Sequence, residues 1–227
     1  MRGIKCLLSF LVIIFIFLVT CAPTIPTPPG AVVDDLGRSV NIEKIPQRIV
    51  SLSPSNTEIL FALGLGDKVV GVTDYCDYPA EAQGKEKVGG PWGAYIDVEK
   101  IIALNPDFIL AAHINGEDVI NTLAGYGFTV FGIKSTDLDD VLNDINTVGE
   151  ITNREAEATA LTTDMQNSID AVTAETAGLS QEQKPRAFHI CWHDPIYTSG
   201  NGTFIHDLFE KAGGGEYFQR PFRVPGG

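Results

Sequence analysis

Residues 189–193 carry side chains that could hold a metal ion. Successive side chains of a β-strand point to opposite faces, so His189, Cys191 and His193 would share one face. Imidazole and thiolate suit zinc, but a structural zinc site needs four protein ligands and the nearby sequence offers no fourth. The alternative is a mixed strand whose last residues, Trp192 and His193, reach a ligand cleft.

A second set of side chains follows candidate strands and suits a large, flat, amphipathic ligand. Tyr75 follows a strand end, and Trp92 lies in a glycine-rich loop with no evident core to fill. For both residues, local packing of a loop is the alternative. Open parallel sheets bind ligands at the carboxyl ends of their strands. The candidate ligand contacts are Ser53, Pro54, Ser55, Tyr75, Trp92, Tyr95, His113, Trp192 and His193.

The serines of the first strand-to-helix turn do not indicate an enzyme. Ser51, Ser53 and Ser55 lie in no GxSxG elbow, which an exported hydrolase of the common α/β type would need. Ser55 has a structural alternative, because it starts the pattern Ser55-Asn56-Thr57-Glu58, which is typical of a helix capping box. We therefore expect binding rather than catalysis.

Composition narrows the choice of partner further. The 227 residues include 16 Lys and Arg against 29 Asp and Glu, a net charge of -13. A chain this acidic has no basic surface to neutralise a phosphate backbone, so nucleic acid is not an expected partner. The cysteines form no CxxC pair, and we expect Cys76 and Cys191, from different parts of the chain, to be free thiols.

The first thirty residues predict export. Arg2 and Lys5 precede the apolar run Leu7–Val19, which is too short to span a bilayer and has the length of a signal-peptide core. Residues 1–20 are the predicted signal peptide. The tetrapeptide ending at Cys21 resembles a lipobox, although Thr20 departs from its usual small residue. The prediction is a lipidated Cys21 with a Pro- and Thr-rich tether over 21–30; an ordinary signal peptide with an incidental cysteine is the alternative.

From residue 32 the pattern alternates short apolar runs with helix-forming stretches, which predicts an α/β fold. A small hairpin is expected around Asp34–Arg38, and residues 31–136 form the predicted N-terminal lobe. The apolar runs are typical of parallel strands buried on both faces. They cover residues 48–52, 68–72, 107–111 and 129–133.

The second half of the sequence predicts a connector and a second lobe. Residues 137–180 keep helical spacing of apolar residues almost without Gly or Pro, which predicts one long helix between two lobes. Residues 184–227 then echo the first lobe, with a strand over 187–191 and a helix from Thr203 to Gly213. Because the chain stops at Gly227 before further strands, we expect a truncated second lobe.

Several segments of the sequence together resemble one family: the periplasmic substrate-binding proteins of cobalamin and iron-siderophore ABC importers, of the class with a helical backbone. The second-lobe segments are closer to the cobalamin branch. The segments are Asp34-Asp35-Leu36-Gly37-Arg38, residues 48–58, 71–79 and 97–107, Asp194-Pro195-Ile196-Tyr197-Thr198-Ser199-Gly200 and Lys211-Ala212-Gly213-Gly214.

The resemblance implies two three-layer αβα lobes bridged by one long helix, with the ligand in the cleft between them. It implies a monomeric, membrane-anchored lipoprotein that captures cobalamin or a related corrinoid and delivers it to an ABC permease, with no enzymatic activity and no resident cofactor. By motif position, Glu99 would pair with permease arginines. Tyr75 and Trp92 match aromatic cleft positions, with Tyr95 competing for the place of Trp92.

Other ligands on the same scaffold stay open. A ferric siderophore or haem is the nearest alternative, although few arginines lie near the cleft motifs to oppose an anionic chelate. A zinc or manganese receptor is more remote and depends on His189 and His193. A shared fold carries different ligands, so the fold alone does not decide among them.

Overall fold

A parallel five-stranded sheet forms the centre of the computed structural model, which describes residues 29–180 and 182–214. Every neighbouring pair in the sheet runs parallel, in the order β5-β4-β3-β6-β7. The predicted parallel sheet is confirmed; only the two-residue strand β5 had no signal in the sequence. The strands are β3 (Ile49–Ser51), β4 (Val69–Val72), β5 (Glu86–Lys87), β6 (Phe108–Ala112) and β7 (Val130–Ile133).

Helices cover both faces of this sheet, which makes the first lobe a three-layer αβα sandwich, as predicted. A hydrophobic core lies between the sheet and each helix layer, and alternate strand residues point into one core or the other: Ile49 faces one helix layer and Val50 the other. The helices α1 (Pro54–Ala62), α4 (Leu138–Thr152) and α5 (Glu155–Thr176) cover one face. The helices α2 (Val98–Leu104) and α3 (Glu117–Gly125) cover the other.

The predicted hairpin is also confirmed, as strands β1 (Gly30–Val33) and β2 (Ser39–Ile42). Its turn is held by the buried carboxylate of Asp34, which accepts hydrogen bonds from the Arg38 backbone N–H at 2.8 Å and from the Arg38 guanidinium. The same carboxylate accepts from the Gly132 N–H at 3.1 Å. The hairpin is thereby fixed beside β7.

The bounds predicted for the long helix are wrong, because residues 137–180 contain two helices. Asn153 takes a left-handed conformation (φ 56°), and the chain turns back so that α5 packs along α4. Gly149 permits this contact: a Cβ there would lie 2.5 Å from the Ala158 methyl. The apolar spacing continues across the break because both helices bury that stripe in one core. The longer helix, α5, spans about 33 Å.

The part that follows contains strands β8 (Ile190–His193) and β9 (Ile196–Thr198) and helix α6 (Phe204–Lys211). The strand predicted over 187–191 is displaced to β8, and β9 pairs with it as an antiparallel hairpin that the sequence did not predict. The predicted start of this helix at Thr203 is confirmed, with Thr203 as the N-cap of α6. Asp207 in α6 accepts a hydrogen bond from the Leu138 N–H at 2.9 Å, which joins α6 to the start of α4.

No helix within residues 29–180 and 182–214 combines the length and apolarity that a bilayer crossing requires. Cys21, the signal peptide and most of the tether lie outside these residues.

Substitution of Asp34 tests the hairpin anchor. Asp34→Ala leaves the Gly132 N–H and the Arg38 guanidinium without their shared acceptor, so the free energy of unfolding should fall by about 2–4 kcal/mol in urea denaturation. Glu43→Ala, which removes only an exposed acceptor of Asn41, is the matched control and should change it by less than about 0.5 kcal/mol. Equal effects of the two variants would contradict the role given to Asp34.

Candidate functional site

The carboxyl edge of the sheet brings three aromatic candidates together. Tyr75 follows β4, and Trp92 and Tyr95 lie in the loop after β5. The Tyr75 and Trp92 rings meet edge to face, with centroids 5.6 Å apart and an interplanar angle of 77°. They remain 56% and 47% exposed, and Tyr95 is 69% exposed. We call these three residues the aromatic wall; its exposure leaves apolar surface available to a ligand.

The backbone of residues 89–95 explains why these rings face solvent. The loop closes on itself through hydrogen bonds from the Gly90 N–H to the Tyr95 carbonyl at 2.9 Å and from the Tyr95 N–H to the Trp92 carbonyl at 2.8 Å. Gly89 has φ +93°, and a Cβ there would overlap the Tyr95 carbonyl oxygen. Backbone bonds therefore fix the loop, and its aromatic side chains are not needed in a core.

Asn115 fixes the other side of this loop, and sequence reasoning missed it. Its side-chain amide donates to the Leu52 carbonyl at 2.8 Å and to the Pro91 carbonyl at 2.6 Å, and its Oδ1 accepts from the Ala112 N–H at 2.6 Å. The side chain is completely buried. The only sequence signal was an Asn-Gly pair shortly after a strand, which is ordinary turn chemistry.

The structure corrects the helix cap predicted at Ser55. Ser53 caps α1, accepting a hydrogen bond from the Asn56 N–H at 3.2 Å, because Pro54 can occupy the first turn, where no N–H is needed. Ser53 is buried, and its hydroxyl lies 3.2 Å from that of the exposed Ser55. Of this pair, Ser55 offers its hydroxyl at the surface of the carboxyl edge.

His113 also lies at the carboxyl edge, exposed in the one-turn 3₁₀ helix His113–Asn115 after β6. A hollow of about 500 Å³ adjoins this turn and the loop of the aromatic wall. It is bordered by Gly93, Ile114, Asn115, Gly116 and the first turn of α3.

The candidates near β8 do not assemble as the metal hypothesis requires. Cys191 Sγ lies 3.4 Å from His189 Nδ1, and that nitrogen is 2.8 Å from the Ser199 hydroxyl. The His193 ring instead packs against Trp192, with centroids 5.4 Å apart. A register shift within β8 breaks the simple alternation. Among the described residues, no three His, Cys, Asp or Glu side chains are placed to hold a metal ion.

Glu99 lies exposed in the first turn of α2, where Asp97 caps the helix by accepting from the Lys100 N–H at 3.0 Å. A carboxylate is favourable at a helix N-terminus, so this position of Glu99 also has a local electrostatic reason.

A buried carboxyl near the end of β7 has an unusual protonation equilibrium. Burial raises the pKa of Asp144 in α4 to about 7; a hydrogen bond from the Ser135 hydroxyl at 2.5 Å opposes the rise, and the carboxylates of Asp35 and Asp140 add to it. Asp140 behaves in the opposite way, because hydrogen bonds from Thr136 lower its pKa.

Comparison with known proteins decides the family. The family model of the periplasmic binding proteins matches residues 49–220. The chain belongs to the periplasmic binding protein family. It is 37% identical over 185 residues to an uncharacterised ABC transporter substrate-binding lipoprotein of Bacillus subtilis, YvrC, covering 79% of this chain and 58% of that protein.

Two crystal structures show the same fold. The periplasmic vitamin B12 binding protein BtuF of Vibrio cholerae superposes with a TM-score of 0.67 and 30% identity, over 75% of this chain and 65% of that one. A possible iron-binding, periplasmic solute-binding protein of Staphylococcus epidermidis superposes with a TM-score of 0.65 and 30% identity, over 76% of this chain and 67% of that one. The chain thus spans about two thirds of these proteins and 58% of the Bacillus lipoprotein.

The protonation of Asp144 predicts a pH dependence of stability. Between about pH 4 and pH 7 the folded chain keeps a proton on Asp144, whereas the unfolded chain has released it. The contribution of this carboxyl to the free energy of unfolding therefore falls as the pH rises through this range. The gain in stability from Asp144→Asn should therefore be larger at pH 8 than at pH 5 in urea denaturation.

Glu43→Gln is the control for that measurement. Glu43 is an exposed carboxylate at the end of the hairpin and is not one of the groups that act on Asp144, so its substitution should change stability equally at pH 5 and pH 8. If the Asp144→Asn difference is also the same at the two pH values, the raised pKa is wrong.

Proposed function

We propose that this chain is the extracytoplasmic substrate-binding component of an ABC importer and that its ligand is cobalamin or a related corrinoid. The observation that carries the proposal is the exposed aromatic wall at the carboxyl edge of the parallel sheet. Open α/β sheets bind ligands at this edge, and aromatic faces suit the flat, amphipathic corrin ring. The vitamin B12 binding protein of Vibrio cholerae, which has this fold, supports the ligand class.

Charge favours a corrinoid over a ferric siderophore. An anionic ferric chelate calls for arginines in the cleft. Three arginines of the first lobe and connector are engaged away from the aromatic wall: Arg38 with Asp34, Arg48 with the carbonyls of Leu104 and Asn105, and Arg154 with Glu157. The net charge of -13 also disfavours an anionic ligand.

The second candidate is the same scaffold holding a ferric siderophore or haem. It is supported by the structural similarity to the possible iron-binding protein of Staphylococcus epidermidis. His113 and His193, both exposed, are the imidazoles that this candidate would use on a haem iron. The zinc or manganese alternative has less support, because the described residues provide no cluster of three metal-ligating side chains.

The partners follow from the same proposal. Glu99, exposed on α2, is the residue that would pair with an arginine of the importer permease. Cys21 would carry the lipid that anchors the exported chain to the membrane, and the protein would act as a monomer. Binding and delivery require no catalytic group and no resident cofactor.

Equilibrium dialysis of the purified chain tests the ligand, with cyanocobalamin, haem and a ferric hydroxamate in parallel and visible absorbance as the readout. We expect saturable 1:1 binding of cyanocobalamin. Trp92→Ala should raise its Kd about tenfold, which corresponds to about 1.4 kcal/mol. Tyr126→Ala is the control, because Tyr126 is a comparably exposed ring that follows α3 at the opposite edge of the sheet.

Binding of haem or the ferric hydroxamate alone would overturn the corrinoid and support the second candidate. A chain that binds none of the three would contradict the proposed capture of these ligands. Equal effects of Trp92→Ala and Tyr126→Ala would place the ligand away from the aromatic wall.

A further inference from the structure

We propose that Asn115 is the positioning residue of the aromatic wall: its buried side chain holds the loop that presents Trp92 and thereby sets ligand affinity. The assignment of a ligand to this wall rests on the proposed function, whereas the positioning of Trp92 does not. Asn115 contacts no ligand in this arrangement, because it is completely buried beneath the loop.

The side chain joins three separate segments at the carboxyl edge. Its amide group reaches the Leu52 carbonyl at the end of β3 and the Pro91 carbonyl in the loop, and its Oδ1 reaches the Ala112 N–H at the end of β6. The carbonyls can only accept and the N–H can only donate, so the orientation of the amide is fixed. All three segments adjoin candidate ligand contacts: Ser53, Trp92 and His113.

Without the Asn115 side chain, the hydrogen bonds from this loop to other described segments would all lie on the β4 side. Its internal bonds close residues 90–95 on themselves, and the bond from the Asp74 N–H to the Gly89 carbonyl, 2.8 Å, ties it to the segment after β4. The bond from Asn115 to Pro91 ties it to the opposite, β6 side. Pro91 directly precedes Trp92, so this bond restrains the backbone that carries the indole.

The backbone of Asn115 also contacts the loop. A Cβ added at Gly93 would lie 2.6 Å from the Asn115 carbonyl oxygen, closer than real Cβ contacts allow. Glycine at position 93 therefore lets the loop sit directly on the Asn115 turn. The loop is seated on Asn115 through both the side chain and the main chain.

The required chemistry is specific to asparagine. An aspartate in its place would be isosteric and could still accept from the Ala112 N–H, but its second carboxylate oxygen would face the two carbonyls with no proton to donate. A side chain without polar atoms would leave both carbonyls and the Ala112 N–H unpaired. Glutamine adds a methylene to a site with no exposed surface. If Asn115 served only the overall stability of the fold, any substitution that preserved this stability would also leave Trp92 in place.

Trp92 can report its own position. The chain contains two tryptophans, so Trp192→Phe makes Trp92 the sole indole. In that background, Asn115→Asp should raise the acrylamide quenching constant of Trp92 at least about twofold and lower its fluorescence anisotropy, while far-UV circular dichroism stays native. With the native tryptophans, the same substitution should raise the Kd for cyanocobalamin about tenfold.

Ile151→Ala is the control for stability. Ile151 is fully buried in α4 on the other face of the sheet, so its truncation should lower the urea midpoint of unfolding without raising the quenching of Trp92. If Asn115→Asp does not fold, Gly93→Ala tests the contact between the loop and the Asn115 backbone instead. It should raise the quenching of Trp92 in the same way.

Unchanged Trp92 quenching in folded Asn115→Asp or Gly93→Ala, or an equal rise in Ile151→Ala, would overturn the positioning role. A wild-type chain that binds no cyanocobalamin would instead overturn the proposed function, and the quenching measurements would still decide the role of Asn115.

Discussion

Buried backbone groups at the carboxyl edge of the sheet must find hydrogen-bond partners, and the arrangement of the site depends on this constraint. Parallel strands end there with carbonyls and N–H groups that the neighbouring strand no longer pairs. One asparagine side chain satisfies three of them, from β3, from β6 and from the loop after β5. The segments that carry the candidate ligand contacts are thereby held together by a single buried group.

The same constraint explains how apolar rings can remain exposed. Large aromatic side chains are on average highly buried, because they contribute much of the packing energy of a core. Here main-chain hydrogen bonds stabilise residues 89–95, and glycine permits the close backbone approach that these bonds require. Trp92 and Tyr95 remain exposed and form part of the aromatic wall. A preformed aromatic surface costs little ordering on binding, which suits the ligand binding proposed for it.

The sequence predicted those parts of the molecule that are fixed by local patterns. Buried strands, the Asp34–Arg38 hairpin and the start of a helix at Thr203 follow from apolar runs and turn chemistry over a few residues. The break between α4 and α5 did not show, because a left-handed Asn153 interrupts a helix without interrupting its apolar stripe. Ser53 replaced Ser55 as the cap because Pro54 is tolerated in the first turn.

The candidate site was predicted in part, because some of its residues show a local pattern and others depend on contacts that are distant in sequence. Tyr75 was identified from its position after a strand and Trp92 from its glycine-rich loop. Their mutual contact depends on the pairing of β5 with β4, and β5 had no signal in the sequence. Asn115 was missed because its partners, Leu52 and Pro91, are distant in sequence and offer only main-chain carbonyls, which leave no trace in residue identity. The metal hypothesis at residues 189–193 assumed regular alternation, which the register shift in β8 removes.

The hairpin that docks on β7 has a consequence for self-association. An edge strand with free N–H and C=O groups is a template for pairing with another chain. Along β7 those outward groups are occupied: Arg38 donates to the Val130 carbonyl, the Asp35 N–H to the Gly132 carbonyl, and the Gly132 and Lys134 N–H groups donate to Asp34 and Asp35. The opposite edge, β5, is two residues long. Both edges of the sheet are therefore poor templates for intermolecular strand addition.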